Sequence, residues 1–436
     1  MINSQEVNIF SYYFMKLKTF GFRFDFLQII PLFTLLTIGI FFIYGTGQQI
    51  GDELYKGAYL NQLKWIGLGL IIWFTLSIID YRKLTIFVWP LYLVSTIMLT
   101  LVLFVGDERY GARRWLSIFG TSLQPSEIGK LAALLATSWV LSRRNFSIKD
   151  FSFTSFQSFL VVGIVTGIQF LLILIEPDLG SSLVLIVVFV FLVFAAGLNK
   201  KFIFILLIAL QMYATATEVR RYFGWHKEIL ITRAGVSRAP SSLEKTVKLY
   251  FPMLSGYQQE RILVFLDQSR DIRNKGWNQL QARLAVGSGG LSGKGFMQGT
   301  QNQLGFLPHT VSNSDFIFPV IAEETGFIGS TILVFLYLML VASAVRTSVL
   351  ARDLFGRYVA IGTASIFFMH SVVNIGMSIG LMPVTGLPLP FVSSGGTFVV
   401  VSLTYMGILQ SIYRQRRSIG ARPEMEATKI TNTRFN

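Results

Sequence analysis

Four ionisable side chains sit where the surrounding sequence makes charge expensive. Gln124-Pro125-Ser126-Glu127-Ile-Gly-Lys130 opens an apolar stretch, and Glu127 and Lys130, three apart, share one helical face. Ser126 can cap that helix, with Pro125 marking its start. Glu176-Pro177-Asp178-Leu179-Gly180 is a tight turn between two apolar stretches that leaves Asp178 at a rim. A lone charge at such depth is unstable, so Lys130 and Asp178 are expected to partner across helices. Mutual neutralisation of Glu127 and Lys130 is the simpler alternative. Arg109, Arg113 and Arg114 crowd one short segment. Basic groups at a headgroup plane suit a ligand with phosphates, or make ordinary headgroup contacts.

A second group lies further along. Asp267 and Asp271 are four apart amid Arg270, Arg273 and Lys275. This pattern has two readings. One is charge balance on a solvated loop. The other is a carboxylate that takes a proton from a sugar hydroxyl or holds a divalent ion, with the cations handling phosphate. The following Gly287-Ser-Gly-Gly-Leu-Ser-Gly293-Lys294-Gly295 is no nucleotide loop. Ser288 stands where a P-loop needs glycine, and Gly295 where it needs Ser or Thr. Dense glycine there implies flexible backbone or a close backbone approach to a ligand.

The elements that must position these groups follow from composition. Of 436 residues, 52% are hydrophobic and 14% charged, against about a quarter charged in a soluble globular chain. A multi-spanning membrane protein is the class this defines. The absence of cysteine excludes disulfides, thiolate metal sites and thiol nucleophiles, and the scattered His226, His309 and His370 exclude a spaced zinc motif. A net charge of +15 would suggest nucleic acid in a soluble chain. In a membrane chain it reads as loop bias, and no nucleic-acid partner is expected.

Charge-free stretches at 27–51, 84–106, 151–175, 179–199 and 325–345, with shorter ones at 65–79, 131–142 and 202–217, are candidate spans. The run 358–413 is too long for one helix and is broken by Gly380-Leu-Met-Pro383-Val-Thr-Gly386-Leu-Pro388-Leu-Pro390, giving two spans with a tight re-entry. The expected fold is all-α and integral to the membrane, with about ten transmembrane helices. Arg82, Lys83, Arg143, Arg144, Lys200, Lys201, Arg346 and Arg352 fall in alternate short turns, which sets both termini inside. The expected organisation is an N-terminal tail at 1–25, seven helices in 26–217, a large extracytoplasmic loop at 218–314, three helices in 315–413 and a C-terminal tail at 414–436.

These motifs together resemble the SEDS family (shape, elongation, division and sporulation) of bacterial integral-membrane peptidoglycan glycosyltransferases, and its elongation-type branch in particular. The landmarks are Gly111-Ala112-x-Arg114-Trp115, Gln124-Pro125-Ser126-Glu127-x-x-Lys130, Pro177-Asp178-x-Gly180, the glycine run, Asp315-Phe-Ile-Phe318, and Pro383-Val-Thr-Gly-x-Pro-Leu-Pro-Phe-Val-Ser393-x-Gly395-Gly396. The resemblance implies polymerisation of lipid II into a nascent glycan strand at the outer face of the bacterial cytoplasmic (inner) membrane, for cell-wall elongation. A sugar C4 hydroxyl attacks the anomeric carbon of a second lipid-linked disaccharide, and undecaprenyl pyrophosphate leaves. It assigns catalysis to Asp271 and places Glu127, Lys130 and Asp178 in a substrate-binding polar cluster, with Arg114 toward pyrophosphate. It also implies a divalent cation (Mg2+ or Mn2+) with unknown ligands, no nucleotide, haem or zinc, and a class B penicillin-binding protein transpeptidase as partner. The chain departs from the family's Asp-Pro-x-x-Asp-Pro, having Gln268 and Ile272 in place of both prolines. A lipid II flippase and a non-catalytic scaffold for the transpeptidase are the alternative functions.

Overall fold

Without water, a chain must satisfy its own backbone, and the charge-free stretches do so as helices. The structure, a computed structural model, describes residues 24–49, 57–109, 112–118, 121–143, 153–197, 256–266, 276–307 and 309–416. Helices α1 (Phe26–Gln49), α2 (Ala58–Ile78) and α3 (Val88–Val105) lead to three short strands, β1 (Asp107–Arg109), β2 (Ala112–Ile118) and β3 (Thr121–Leu123). Then come α4 (Pro125–Arg143), α5 (Phe153–Ile175), α6 (Leu179–Ala195), α7 (Gly256–Leu266) and α8 (Trp277–Ser288). Three long helices close the chain: α9 (Ile317–Leu350), α10 (Leu354–Ser378) and α11 (Gly396–Arg414).

Among the described residues six helices, α1, α3, α5, α9, α10 and α11, are long and apolar enough to cross a membrane. The apolar α6 has 17 residues, while α2 and α4 have 21 and 19. The expected span at 202–217 and most of both tails lie outside the described residues. The long run 358–413 does divide at Gly380–Pro390, where non-helical backbone separates α10 from α11.

The expectation of an all-α chain needs correcting between α3 and α4. There β1, β2 and β3 form an antiparallel sheet in the order β1-β2-β3, with Asp107 opposite Trp115 and Ser117 opposite Ser122. Within β2, Arg113 and Ser117 are exposed, whereas Arg114, Trp115 and Leu116 between them are half-buried. A short polar connector pairs its backbone with itself for the same reason that the spans are helical.

Helix packing relies on small residues. The most extensive helix pair is α2 with α11, where Gly396 lies against the Trp65 indole and Gly407 against the Trp73 backbone. Helix α9 is kinked at Gly326 (φ 66°), and the glycine run seats itself in that kink. The Lys294 and Gly295 amides donate to the Glu323 and Glu324 carbonyls at 3.0 Å, and the Phe327 amide donates to the Gly290 carbonyl at 2.9 Å. The close approach expected of these glycines is therefore to the protein's own helix. The Glu323 carboxylate, 0% exposed, locks the junction by accepting from Lys294 Nζ at 2.5 Å and Thr300 Oγ1 at 2.9 Å.

Gly293 holds φ +80°, and a Cβ there would collide with the Glu324 carbonyl, whereas a Cβ on Gly287 meets nothing within 4 Å. Gly293→Ala is expected to destabilise the protein by about 1–3 kcal/mol. Gly287→Ala, in the last turn of α8, is expected to be neutral or to stabilise by about 0.5–1 kcal/mol. Thermal unfolding of the two variants in detergent checks the contrast, and equal midpoints would refute this packing of the glycine run.

Candidate functional site

Arg114, Glu127, Lys130 and Asp178, singled out from the sequence, converge where the N-termini of α4 and α6 meet beneath the sheet. Helix α4 begins at Pro125, which needs no N–H partner, and places Glu127 in its first turn, where the helix dipole favours a carboxylate. Asp178 is the N-cap of α6 and accepts from the Ser181 amide at 3.1 Å. It also accepts from Ser126 Oγ and Gln124 Nε2, both at 3.2 Å, which ties the two helix starts together.

Lys130 is 1% exposed and Glu127 2% exposed. Lys130 Nζ donates to Glu127 Oε1 at 2.9 Å and lies 3.0 Å from His370 Nε2. His370 Nδ1 is 3.0 Å from the Pro388 carbonyl, which can only accept, so Nδ1 carries the proton and Nε2 accepts from Lys130. The imidazole also stacks on Phe398, centroids 4.9 Å apart. The direct Lys130–Asp178 partnership expected across helices is therefore replaced by Glu127–Lys130–His370. Asp178 feels Lys130 through space and takes its hydrogen bonds elsewhere.

Arg114 reaches in from β2. Its Nε donates to the Glu176 carbonyl at 3.2 Å and its guanidinium also donates to the Pro177 carbonyl, so it clamps the turn that carries Asp178. Burial pushes the Asp178 carboxyl up, yet Arg114, the Ser181 amide and Lys130 outweigh that and hold it below its ordinary value. Glu176 behaves oppositely. It is 0% exposed, neither of its carboxyl oxygens has a hydrogen-bond partner among the described residues, and burial with the Asp178 charge pushes it up to about 9.

Asp315 and Arg261 extend the same neighbourhood. Burial raises the Asp315 carboxyl against the fields of Arg261 and Arg114. Arg261 Nη1 donates to the Val384 carbonyl at 3.0 Å, and Asn374 Nδ2 donates to the carbonyls of Asp315 (2.8 Å) and Leu387 (2.7 Å). Thus Arg114, Glu127, Lys130 and Asp178 are brought together as a cluster, while Asp271 lies outside the described residues. His370 and Asn374 also belong to the cluster, as do Glu176, Arg261 and Asp315. An ionisable side chain inside a span was the signal available for His370.

A bundle of membrane-length helices around a buried polar centre, covered at one end by a sheet and loop helices, defines a polytopic membrane protein with an ionic site near one membrane face. The family model described as "Cell cycle protein", which unites FtsW, RodA and SpoVE, matches residues 26–418. The chain belongs to this family. It is 28% identical over 428 residues to the peptidoglycan glycosyltransferase RodA of Treponema pallidum (strain Nichols), covering 89% of this chain and 97% of that one. It is 31% identical over 374 residues to the peptidoglycan glycosyltransferase MrdB of Escherichia coli (strain K12), covering 86% and 89%. A solved chain from a peptidoglycan synthase complex that coordinates polymerisation and crosslinking superposes with a TM-score of 0.68 at 28% identity, over 91% of this chain and 99% of that one. The chain is accordingly a multi-pass protein of the bacterial inner membrane.

Two outcomes follow from the buried charges. Lys130→Met strands the Glu127 carboxylate and is expected to cost about 3–5 kcal/mol, while Glu127→Gln combined with Lys130→Met recovers most of that loss. Unfolding midpoints of the single and double variants test the coupling, and simple additivity would refute it. Glu176 has a folded-state pKa above its unfolded one, so its contribution is complete below the ordinary carboxylate range and fades as pH rises toward about 9. Glu176→Gln should therefore gain stability relative to the parent between pH 5 and pH 8, read as the difference in midpoint at the two pH values.

Proposed function

We propose that this chain is a peptidoglycan glycosyltransferase that polymerises lipid II at the outer face of the membrane for cell-wall elongation. The observation that carries this reading is the likeness, over 86–89% of the chain, to relatives named as peptidoglycan glycosyltransferases. The chemistry of the site agrees with it. A leaving pyrophosphate calls for cations, and Arg114, Arg261 and Lys130 gather at one end of the bundle. A lipid-tailed substrate calls for a site inside the membrane boundary, and the cluster is enclosed by apolar helices.

In the proposed reaction the C4 hydroxyl of one lipid-linked disaccharide attacks the anomeric carbon of another. The bond from that carbon to the undecaprenyl pyrophosphate oxygen breaks, and the hydroxyl proton passes to a carboxylate. Asp271 is our candidate for that carboxylate. Glu127, Lys130 and Asp178 shape the binding cluster, and Arg114 faces the pyrophosphate. No three Asp, Glu or His side chains converge on a possible ion site among the described residues. The divalent cation of this proposal (Mg2+ or Mn2+) is assigned no ligands among the described residues.

The topology that fits this chemistry has ten spans, both termini in the cytoplasm and residues 218–314 outside. Supporting it, the sheet, the Glu176–Asp178 turn, the Pro388 loop and Gln279 of α8 all meet at one end of the bundle. Arg82, Arg143 and Arg357 gather at the other. A class B penicillin-binding protein is the proposed partner, consistent with the likeness to a chain of a synthase complex.

Labelled lipid II is the test, given to the purified protein with and without the transpeptidase and with Mg2+, Mn2+ or a chelator. Glycan ladders are expected, falling by a factor on the order of 10³ in Asp271→Ala, and weakening on chelation. Ladders that persist in Asp271→Ala would keep the enzyme and remove this aspartate from its centre. No ladder in any condition, with the partner bound, would favour a flippase or a scaffold.

A further inference from the structure

A second polar site lies at the opposite end of the bundle. A cavity of about 510 Å³ opens among Arg82, Arg143 and Arg357, with Trp139, Asp353 and Leu354 in its wall. Helix α4 links it to the cluster above, carrying Glu127 in its first turn and Arg143 in its last. Those residues are separated by about 24 Å at a rise of about 1.5 Å per residue, so the cavity is a separate site.

Its charges are only partly committed. Arg82 is held by Asp80 at 2.7 Å, and Asp353 Oδ1 is used as the N-cap of α10, accepting from the Gly356 amide at 2.7 Å. Arg143 lies over the Trp139 ring, 5.6 Å from its centroid. Neither Arg143 nor Arg357 makes an ion pair among the described residues. Two available guanidiniums facing one cavity match a phosphate, whose oxygens accept forked hydrogen bonds.

The rim says which kind of phosphate. Thr85 lines the cavity, and the next two residues, Ile86 and Phe87, are 73% and 63% exposed. Leu354, itself in the wall, is 43% exposed. Trp139 meets Trp89 edge-on at 5.5 Å, the kind of indole pair that settles at a membrane–water interface. A free phosphate has no use for an apolar rim, whereas a phospholipid must lay its acyl chains on one. A zwitterionic headgroup would bring its ammonium toward three arginines against the single wall carboxylate of Asp353, which disfavours it.

We infer that this cavity binds the headgroup phosphate of an anionic phospholipid, with the acyl chains running over Ile86 and Phe87. The assignment is independent of the glycosyltransferase reading. Native mass spectrometry of the detergent-solubilised full chain tests it with dioleoylphosphatidylglycerol, dioleoylphosphatidylcholine and inorganic phosphate as probes. The expected result is retention of phosphatidylglycerol at least about tenfold over phosphatidylcholine, a preference lost in the Arg143→Gln, Arg357→Gln pair and kept in the Arg143→Lys, Arg357→Lys pair. Arg143→Gln alone, at an exposed helix end, should weaken retention severalfold and serves if the double variant unfolds. Equal retention of the two lipids by the parent, or undiminished retention by both Gln variants, would overturn the inference. Displacement of the lipid by millimolar phosphate would overturn the lipid assignment in favour of a free-phosphate site.

Discussion

An ammonium group sealed inside a helical bundle must find a partner for its charge and for its N–H groups, and much of the chain is arranged around that demand. Lys130 takes its charge partner, Glu127, from its own helix and a second acceptor, His370, from α10. His370 can accept only if its other nitrogen donates, and the Pro388 carbonyl is there to receive it. That carbonyl is free because Gly380–Pro390 is not helical. Irregular backbone inside a membrane bundle is tolerated only when its own polar groups are met. Asn374 donates to Leu387, Tyr337 to Pro390 and Gln279 to Met382, while the Leu389 amide finds Ser393 Oγ. One buried charge thus depends on a loop, and that loop depends on side chains from α8, α9 and α10.

What the sequence made legible follows from which interactions are local. Helices α1, α3, α5 and α6 start and end within a few residues of the charge-free stretches, because span length is set by the bilayer and read directly from hydropathy. The Glu127–Lys130 pair was legible for a similar reason, since spacing along one helix fixes who faces whom. Partners between helices were not. Whether Lys130 meets Asp178 or His370 depends on the rotation of α4 against α6 and α10, which no one-dimensional pattern encodes. The sheet was missed because strands of three, seven and three residues carry too little alternation to stand out beside helical runs. The glycine run was open to a flexible backbone or a close approach to a ligand, and only the fold could show that the approaching group is the kinked turn of α9.

The same locality explains how two acids separated by one proline come to differ. Asp178 faces the start of α6 and is surrounded by donors: the Ser181 amide, Ser126, Gln124 and the field of Arg114. Glu176 feels Arg114 through space but takes a hydrogen bond from none of them. Arg114 hydrogen-bonds the carbonyl of Glu176 and leaves its carboxyl without a donor, so burial and the Asp178 charge raise it to about 9. At neutral pH the turn therefore carries one negative charge where its composition would suggest two. That is the arrangement by which paired acids are given separate protonation states. It leaves Arg114 opposed by a single carboxylate in a region that also holds Arg261 and Lys130. Glu127 offsets Lys130 and Asp315 lies in the field of Arg261, so the preference for an anion rests on Arg114 and on the dipoles of the N-termini of α4 and α6.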